Sequence, residues 1–368
     1  VDRGIVRESD ARSISPHATS LEALFDTPEA AADSCAWLDA TFNGNLLPLL
    51  DDDAHSAPAY REFFAALDET ARRIVCLELG NVMRRAAHGQ LPMDWQRIQF
   101  DHVPADTLSQ VYEHFAHYYW REFAAATSIH YTPRRIAQIL VDSAFAGLRI
   151  PDPSRARILD PAVGAGIFLV LAFKRLVRER WRLTGQRPGR EDLREMLETQ
   201  LCGLDLNSEA LKFAALSLYL TALELDPSPS PLSQLKFKRL DKIGTLLNVA
   251  DAQVLEDKRT DRILALGSLS TPAPSLGGRR FDIVIGNPPW TKLGRLAAPA
   301  LTALVRDVAR RQGIDEKTVA QLQVDNGIPD VPFVWRAMDW ATEGGVIALA
   351  LQAQHLLFQQ GTSAVLRR

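Results

Sequence analysis

Asn287-Pro288-Pro289-Trp290 brings together groups that could act on a ligand. Two consecutive prolines stiffen the backbone and remove two N–H donors. What remains is a rigid set of acceptors, the side-chain oxygen of Asn287 and the carbonyl of Pro288, beside the indole face of Trp290. That combination suits a planar ring bearing an amino group: the ring stacks on the indole and both N–H bonds of the amine point at fixed oxygens. An aromatic amine is a poor nucleophile, because its lone pair is delocalised into the ring. Two accepted hydrogen bonds would pull the nitrogen toward tetrahedral geometry and free that lone pair. The plainer alternative is a proline turn closing a strand, with a tryptophan packed nearby.

A second group lies upstream. Asp160-Pro161-Ala162-Val163-Gly164-Ala165-Gly166 reads as a turn between a strand and a helix. Its two glycines let a ligand approach the backbone closely, and the helix amino end behind them favours an anionic or polar group. Any doubly wound fold could contain such a turn. It departs from the dinucleotide fingerprint, whose third glycine would fall at Leu169, and this lowers a nicotinamide reading. Asp205, at the end of the next strand, can accept both hydroxyls of a ribose. It could equally cap the following helix; with the glycine turn before it, the ribose reading is the better one.

These residues need a scaffold that brings strand ends together. Strands are expected at Arg157–Leu159, Leu201–Leu204, Phe281–Ile285 and Val346–Leu351, with helices at Ile167–Trp181, Ser208–Leu223, Ala297–Gln312 and Val331–Thr342 and another after Pro133. Strands separated by helices imply an α/β, doubly wound, mostly parallel sheet. Residues 1–128 read as a helical N-terminal domain, with helices over Tyr60–His88 and from about Pro104. The second carries an aromatic stripe from Leu108 to Tyr119 that reads as core packing. Residues 129–368 read as the catalytic domain. Asp226–Ser233 and Gly267–Gly278, rich in Ser, Pro and Gly, read as surface linkers. Ala297–Gln312 places Arg306, Arg310 and Arg311 near one face, read as a solvated face or as a lid with phosphate contacts.

Composition narrows the class. The 368 residues are 46% hydrophobic and 24% charged, as in a soluble globular protein. No apolar run reaches the roughly 20 residues of a membrane-spanning helix, and the first ten residues do not read as a secretory signal. Three scattered cysteines argue against a disulfide framework and a zinc site and point to a reducing, cytoplasmic setting. No metal site is expected. The net charge of −3 gives no basic total for binding nucleic acid, so local patches or another domain would have to supply phosphate contacts.

At the motifs quoted, the sequence resembles the N6-adenine amino-methyltransferases of DNA. Tyr131-Thr132-Pro133 upstream of the glycine turn resembles the gamma arrangement, in which this motif comes first. Leu204-Asp205-Leu206-Asn207 resembles the family's acidic second-strand motif, and Gly344–Leu349 the turn and strand after the catalytic motif. The helix around Leu108–Glu113 resembles the segment before Tyr-Thr-Pro in type I, type IIG and BREX-like phage-defence methylases. The resemblance covers roughly residues 104–358.

It implies a doubly wound fold that binds S-adenosylmethionine and methylates the N6 amine of a flipped adenine in double-stranded DNA, within restriction-modification or phage defence. Tyr131, Thr132 and Pro133 would contact the methionine part of the cofactor. Asp160, Ala162, Gly164 and Gly166 would line its pocket, with Asp205 on the ribose and Leu206 beside it. Asn287 and Pro288 would accept from the amine, Pro289 would stiffen the turn and Trp290 would stack on the base. Val163 and Ala165 stand where the family usually has Cys and Ser. Thr245 is the best match for the adenine-contacting position after the third strand, and Asp251 an alternative.

The family's later motifs and its target recognition domain are expected beyond residue 368, in a longer chain or a partner subunit. Val1 could be a non-standard start, which would favour a natural short chain. No upstream nuclease signature is found. Two rivals stand beside this reading: a methyltransferase acting on RNA or a protein glutamine, and a silent methylase-like subunit that holds cofactor or DNA for a complex.

Overall fold

The computed structural model describes residues 6–42, 56–83, 107, 111, 132–228, 236–250, 254–257, 262–290, 293, 296–324, 327–352 and 365. The chain forms two compact units, one of Val1–Pro104 with Ser228–Arg239, the other of Ala105–Pro227 with Leu240–Arg368.

The first unit is helical: α1 (Ala11–Ile14), α2 (Pro28–Phe42), α3 (Ala57–Ala66) and α4 (Glu69–Met83). Leu24, Phe25, Ala31, Cys35, Tyr60 and Phe64 form its core. The helix expected over Tyr60–His88 is broken. Leu67 leaves the helical conformation, and the Asp68 carboxylate accepts the N–H of Ala71 at 2.8 Å to start α4. Residues 84–88 and nearly all of the aromatic stripe lie outside the described residues; its Val111 is exposed.

The second unit holds a parallel sheet. Its elements are α5 (Arg134–Gly147), β1 (Ile158–Asp160), α6 (Ile167–Thr184), α7 (Arg190–Thr199), β2 (Leu201–Asp205), α8 (Ser208–Leu225), β3 (Leu246–Asn248), β4 (Val254–Asp257), β5 (Arg262–Ala265), β6 (Phe281–Gly286), α9 (Ala298–Arg311), α10 (Glu316–Gln321), α11 (Asp330–Trp340) and β7 (Ala341–Leu349). The strand order is β3-β2-β1-β6-β7, all neighbours parallel, while β4 and β5 pair as a separate antiparallel hairpin. From β1 the chain runs outward to β2 and β3, then returns to lay β6 on the other side of β1. The order therefore reverses between β1 and β6, and the carboxyl ends of strands at such a switch point are where open α/β sheets bind ligands.

Side chains alternate across this sheet. Leu159, Leu204 and Val284 pack with Ala337 and Trp340 of α11 on one face, leaving the buried Ile158, Ile283 and Ile285 to the other. Burial on both faces explains why the strands read as continuous apolar runs.

Two expectations need correction, and one helix had no counterpart among them. Gly344 and Gly345 lie within β7 rather than ahead of it. Positive φ at Gly344 (73°) accommodates extra residues where the register slips from Phe281↔Ala341 to Ile283↔Val346. Gly267–Gly278 is no surface linker: it folds into two short 3₁₀ turns with Gly267, Leu269, Thr271, Ala273 and Leu276 buried. The helix α7 was not anticipated. Its apolar residues are few, but Leu193, Met196 and Leu197 fall at i, i+3 and i+4 and are all buried.

Candidate functional site

A cavity opens at the carboxyl ends of β1, β2, β3 and β6. Thr132, Ala162, Gly164, Asp205, Leu206, Asn287 and Pro289, all singled out from the sequence, contribute to its wall.

The glycine turn forms one side. Gly166 is the N-cap of α6 at φ 92°, a conformation disfavoured for residues with a Cβ, and a Cβ there would stand 3.2 Å from Ala214 on α8. The turn is tied to β2 by the Val163 N–H, which donates to the Leu204 carbonyl at 2.9 Å. Val163 and Ala165 are buried lining residues, so the two departures from the family pattern leave a small, apolar wall there.

Asp205 sits at the end of β2. One carboxylate oxygen accepts the Gly164 N–H at 2.8 Å, the other the Asn207 N–H at 2.8 Å. Burial raises its pKa, and the backbone N–H groups of Asn207, Gly164 and Leu206 oppose the rise. The helix-cap alternative goes to its neighbour: Asn207 caps α8 by accepting the Glu209 N–H at 2.9 Å. Each Asp205 oxygen keeps lone-pair capacity for a further donor.

Asn287 follows β6. Its Nδ2 donates to Thr132 Oγ1 at 3.0 Å, across 155 positions of sequence. Its Oδ1 is buried and has no hydrogen-bond partner among the described residues. Burying an unpaired acceptor costs about 1–3 kcal/mol, so an exception of this kind calls for an explanation. Pro288 is buried between the two lining residues Asn287 and Pro289. Trp290 stands outside the wall, 37% exposed, its Nε1 donating to the Ala350 carbonyl at 3.2 Å.

Some expected lining residues are placed elsewhere. Asp160 is fully buried behind the wall, because its Oδ1 turns to accept the Ala162 N–H at 3.0 Å. Gly166 lies under the turn against Ala214. Pro133 is exposed and Tyr131 lies outside the described residues. Thr245 is not at the cavity. It precedes β3 at the strand's amino end, with its hydroxyl donating to the Glu198 carbonyl at 3.3 Å and its own carbonyl accepting from Gly203 N at 2.7 Å. Parallel pairing sets Asn248 level with Asp205, so Val249 is the residue after β3 that reaches the wall. Asp251 lies outside the described residues.

The rest of the wall was not legible from motifs. Gly267, Ser268 and Leu269 come from the segment read as a linker and Leu266 from the residue before it; Leu293, Pro329 and Phe333 come from the connection after Asn287 and from α11. The three arginines of α9 are engaged within the unit. Arg306 donates to the carbonyls of Ala320 and Leu322, Arg310 pairs with Glu316, and Arg311 pairs with Asp307 and Asp339. Among the described residues no three His, Cys, Asp or Glu side chains are grouped to hold a metal ion, and no helix is long and apolar enough to cross a membrane.

Two family models match. The N-6 DNA Methylase model matches residues 103–234, and the Eco57I restriction-modification methylase model matches residues 199–365. No curated relative matches at a significant level. Similar solved structures include a DrdV–DNA complex (17% identity, 89% of this chain and 30% of that one, TM-score 0.49). Another is the type I restriction-modification methyltransferase subunit from Streptococcus thermophilus (16%, 97% and 57%, TM-score 0.42). A third is a nuclease-deletion mutant of the type ISP restriction-modification enzyme LlaGI with a DNA substrate mimic (14%, 94% and 26%, TM-score 0.48). The chain thus spans less than two thirds of each of these proteins, and at such scores the likeness carries no weight for the site. The two family models, which together run from residue 103 to 365, make the chain similar to the N-6 DNA Methylase and the Eco57I restriction-modification methylase families, each over less than half of its length.

Proposed function

We propose that this site transfers a methyl group from S-adenosylmethionine to the N6 amine of an adenine flipped out of double-stranded DNA. The observation that carries the reading is Asn287 Oδ1, a buried acceptor without a partner, at the switch point beside the glycine turn. An amine donor is what that atom lacks.

The residues fit the cofactor. Asp205 would take the ribose hydroxyls on its remaining lone pairs. The turn from Ala162 to Gly166 would receive the chain of the methionine part, with Thr132 and its sequence neighbours Tyr131 and Pro133 on the far side. Leu206, Val249, Leu266 and Leu269 offer an apolar slot for an adenine ring. When bound, S-adenosylmethionine supplies an electrophilic methyl on its sulfonium.

The chain does the rest by positioning. Asn287 Oδ1 and the Pro288 carbonyl would each accept one N–H of the target amine, freeing its lone pair. Pro288 and Pro289 hold that geometry, since neither can turn an N–H toward the amine. Trp290 would stack on the base, as aromatic side chains do for nucleotides drawn out of the duplex. Holding amine and methyl in attacking geometry can contribute several kcal/mol on its own.

In this reading a recognition region or a partner subunit takes part in choosing the target adenine. The setting is modification within restriction-modification or phage defence, in a cytoplasmic protein. The family matches favour this over a silent subunit. The test is transfer of tritiated methyl to DNA, RNA and a glutamine-bearing ribosomal factor, together with calorimetry of S-adenosylmethionine binding. The reading expects DNA labelling that Asn287→Ala abolishes while cofactor affinity stays. Labelling of RNA or protein instead, or unchanged labelling in Asn287→Ala, overturns it.

A further inference from the structure

The oxygen and the NH2 of an asparagine amide are nearly the same size. A half-turn about the last bond of Asn287 would put a donor where the proposed chemistry needs an acceptor. The residues that follow it cannot prevent this, because Pro288 and Pro289 offer no N–H to hold the oxygen. The contact that anchors the amide comes from 155 residues earlier: Nδ2 donates to Thr132 Oγ1 at 3.0 Å. A hydroxyl could also donate to the oxygen, so it is the arriving amine, itself a donor, that favours the oxygen-inward setting. Thr132 is 7% exposed and lies in the cavity wall just before α5. With the NH2 so engaged, the atom left buried and unpaired is the oxygen.

We propose that Thr132 is a positioning residue for the methyl-accepting amine: its hydroxyl anchors the NH2 end of Asn287 and thereby fixes the plane of the amide in which Oδ1 meets the substrate. This rests on the methyl-transfer reading above and assigns Thr132 a task distinct from touching the cofactor. The reversed amide would set two donors against the two donors of the amine. Valine matches threonine closely in shape but can neither accept nor donate. Serine keeps the hydroxyl.

The experiment compares wild type, Thr132→Ser and Thr132→Val in the 368-residue chain. It measures single-turnover methyl transfer to duplex poly(dA-dT), S-adenosylhomocysteine affinity by calorimetry, and the Asn287 side-chain NH2 resonance, identified by its loss in Asn287→Asp. Misplacing a reacting group by about an ångström can cost on the order of a hundredfold in rate. Thr132→Val should therefore slow transfer at least about tenfold, by clearly more than it weakens S-adenosylhomocysteine binding, to which the same wall contributes. Its Asn287 NH2 signal should move, and Thr132→Ser should restore both rate and signal.

A wild-type rate in Thr132→Val overturns the proposal. So does a loss of S-adenosylhomocysteine affinity that matches the loss of rate, or failure of serine to rescue. If the wild type labels no DNA, the methyl-transfer reading fails separately, and the NH2 signal decides the positioning role. An unmoved signal in Thr132→Val then overturns it.

Discussion

Asp160 stands one residue before the glycine turn and carries no exposed surface. Its Oδ1 accepts the Ala162 N–H, and its Oδ2 has no partner among the described residues. Burial pushes its pKa up to about 8, with the Ala162 N–H opposing the rise and the nearby Asp205 adding to it. A carboxyl whose folded pKa is raised loses stability as pH rises. Below the usual carboxylate pKa both states hold the proton. Between there and about 8 the folded state keeps a proton that the unfolded chain has released, so stability falls by up to about 1.4 kcal/mol per pH unit. Asp160→Asn removes this dependence and keeps the acceptor for Ala162. Urea unfolding from pH 4.5 to 8 should show a steeper decline for wild type than for Asp160→Asn; parallel curves would refute the buried neutral carboxyl. Burial raises the pKa of Asp205 as well, but backbone N–H groups meet both its oxygens and oppose the rise. In Asp205→Asn only one side-chain atom can accept, so either the Gly164 or the Asn207 bond is lost. S-adenosylmethionine affinity should fall at least about tenfold, roughly one charge-assisted hydrogen bond. Calorimetry showing wild-type affinity would remove Asp205 from the cofactor site.

The segment Gly267–Gly278 shows how an element can be rigid without looking so in sequence. Three side chains one turn apart on α11 hold it by its backbone. Arg336 Nε donates to the Leu269 carbonyl at 2.9 Å and Trp340 Nε1 to the Thr271 carbonyl at 2.8 Å, while Asp339 accepts the Ala273 N–H at 3.2 Å. Asp339 also pairs with Arg336 at 3.0 Å, so the buried guanidinium has a partner. This clamp fixes the wall formed by Gly267, Ser268 and Leu269. Gly267 itself is at φ 55°, and a Cβ there would lie 2.9 Å from Leu206 Cγ, the wall side chain packed against it. Gly267→Ala should cost about 1–2 kcal/mol of backbone strain and push the wall from Leu206. We expect a few degrees off Tm with a disproportionate loss, at least about tenfold, in S-adenosylmethionine affinity. Unchanged affinity would show that this wall does not touch the ligand. The contrast with the glycine turn explains what the sequence could show. Gly164, Gly166, Asp205 and Asn287 are legible because each lies at or within a few residues of a strand's carboxyl end in a short local pattern. The wall at 267–269 depends on partners some seventy residues away in α11, and its Ser, Pro and Gly content alone reads as a loop. Thr245 was misplaced because β3 is only three residues long, so a shift of a few residues exchanges its ends. The split between α3 and α4 was missed because Asp68 caps α4 within an otherwise unbroken helical composition.

At the scale of the molecule the question is what meets DNA. The net charge is −3, so any electrostatic attraction has to be local. The arginines of α9 looked like candidates while only their spacing was known. Their contacts assign them to internal work: Arg306 holds the carbonyls of Ala320 and Leu322, Arg310 reaches Glu316, and Arg311 joins Asp307 to the clamp at Asp339. A guanidinium already bonded to carbonyls and carboxylates releases few counterions from a phosphate, and each phosphate neutralised adds about 0.9 to the slope of log affinity against log salt. Replacing Arg306, Arg310 and Arg311 together by alanine should therefore leave the salt slope of duplex binding unchanged to within about half a unit. The same variant should lose stability, because Asp339 is buried and its removed partner Arg311 is one of only two cations paired with it among the described residues. Truncating one side of a buried pair is destabilising by up to several kcal/mol, and the surviving Arg336 moderates that loss. Fluorescence anisotropy across a salt series, run beside thermal unfolding, separates the outcomes. A slope lower by two or three units with Tm intact would return these arginines to the DNA interface. A lower Tm with the slope intact would confirm that α9 braces the cavity wall from behind and leave phosphate contact to other parts of the chain or to a partner.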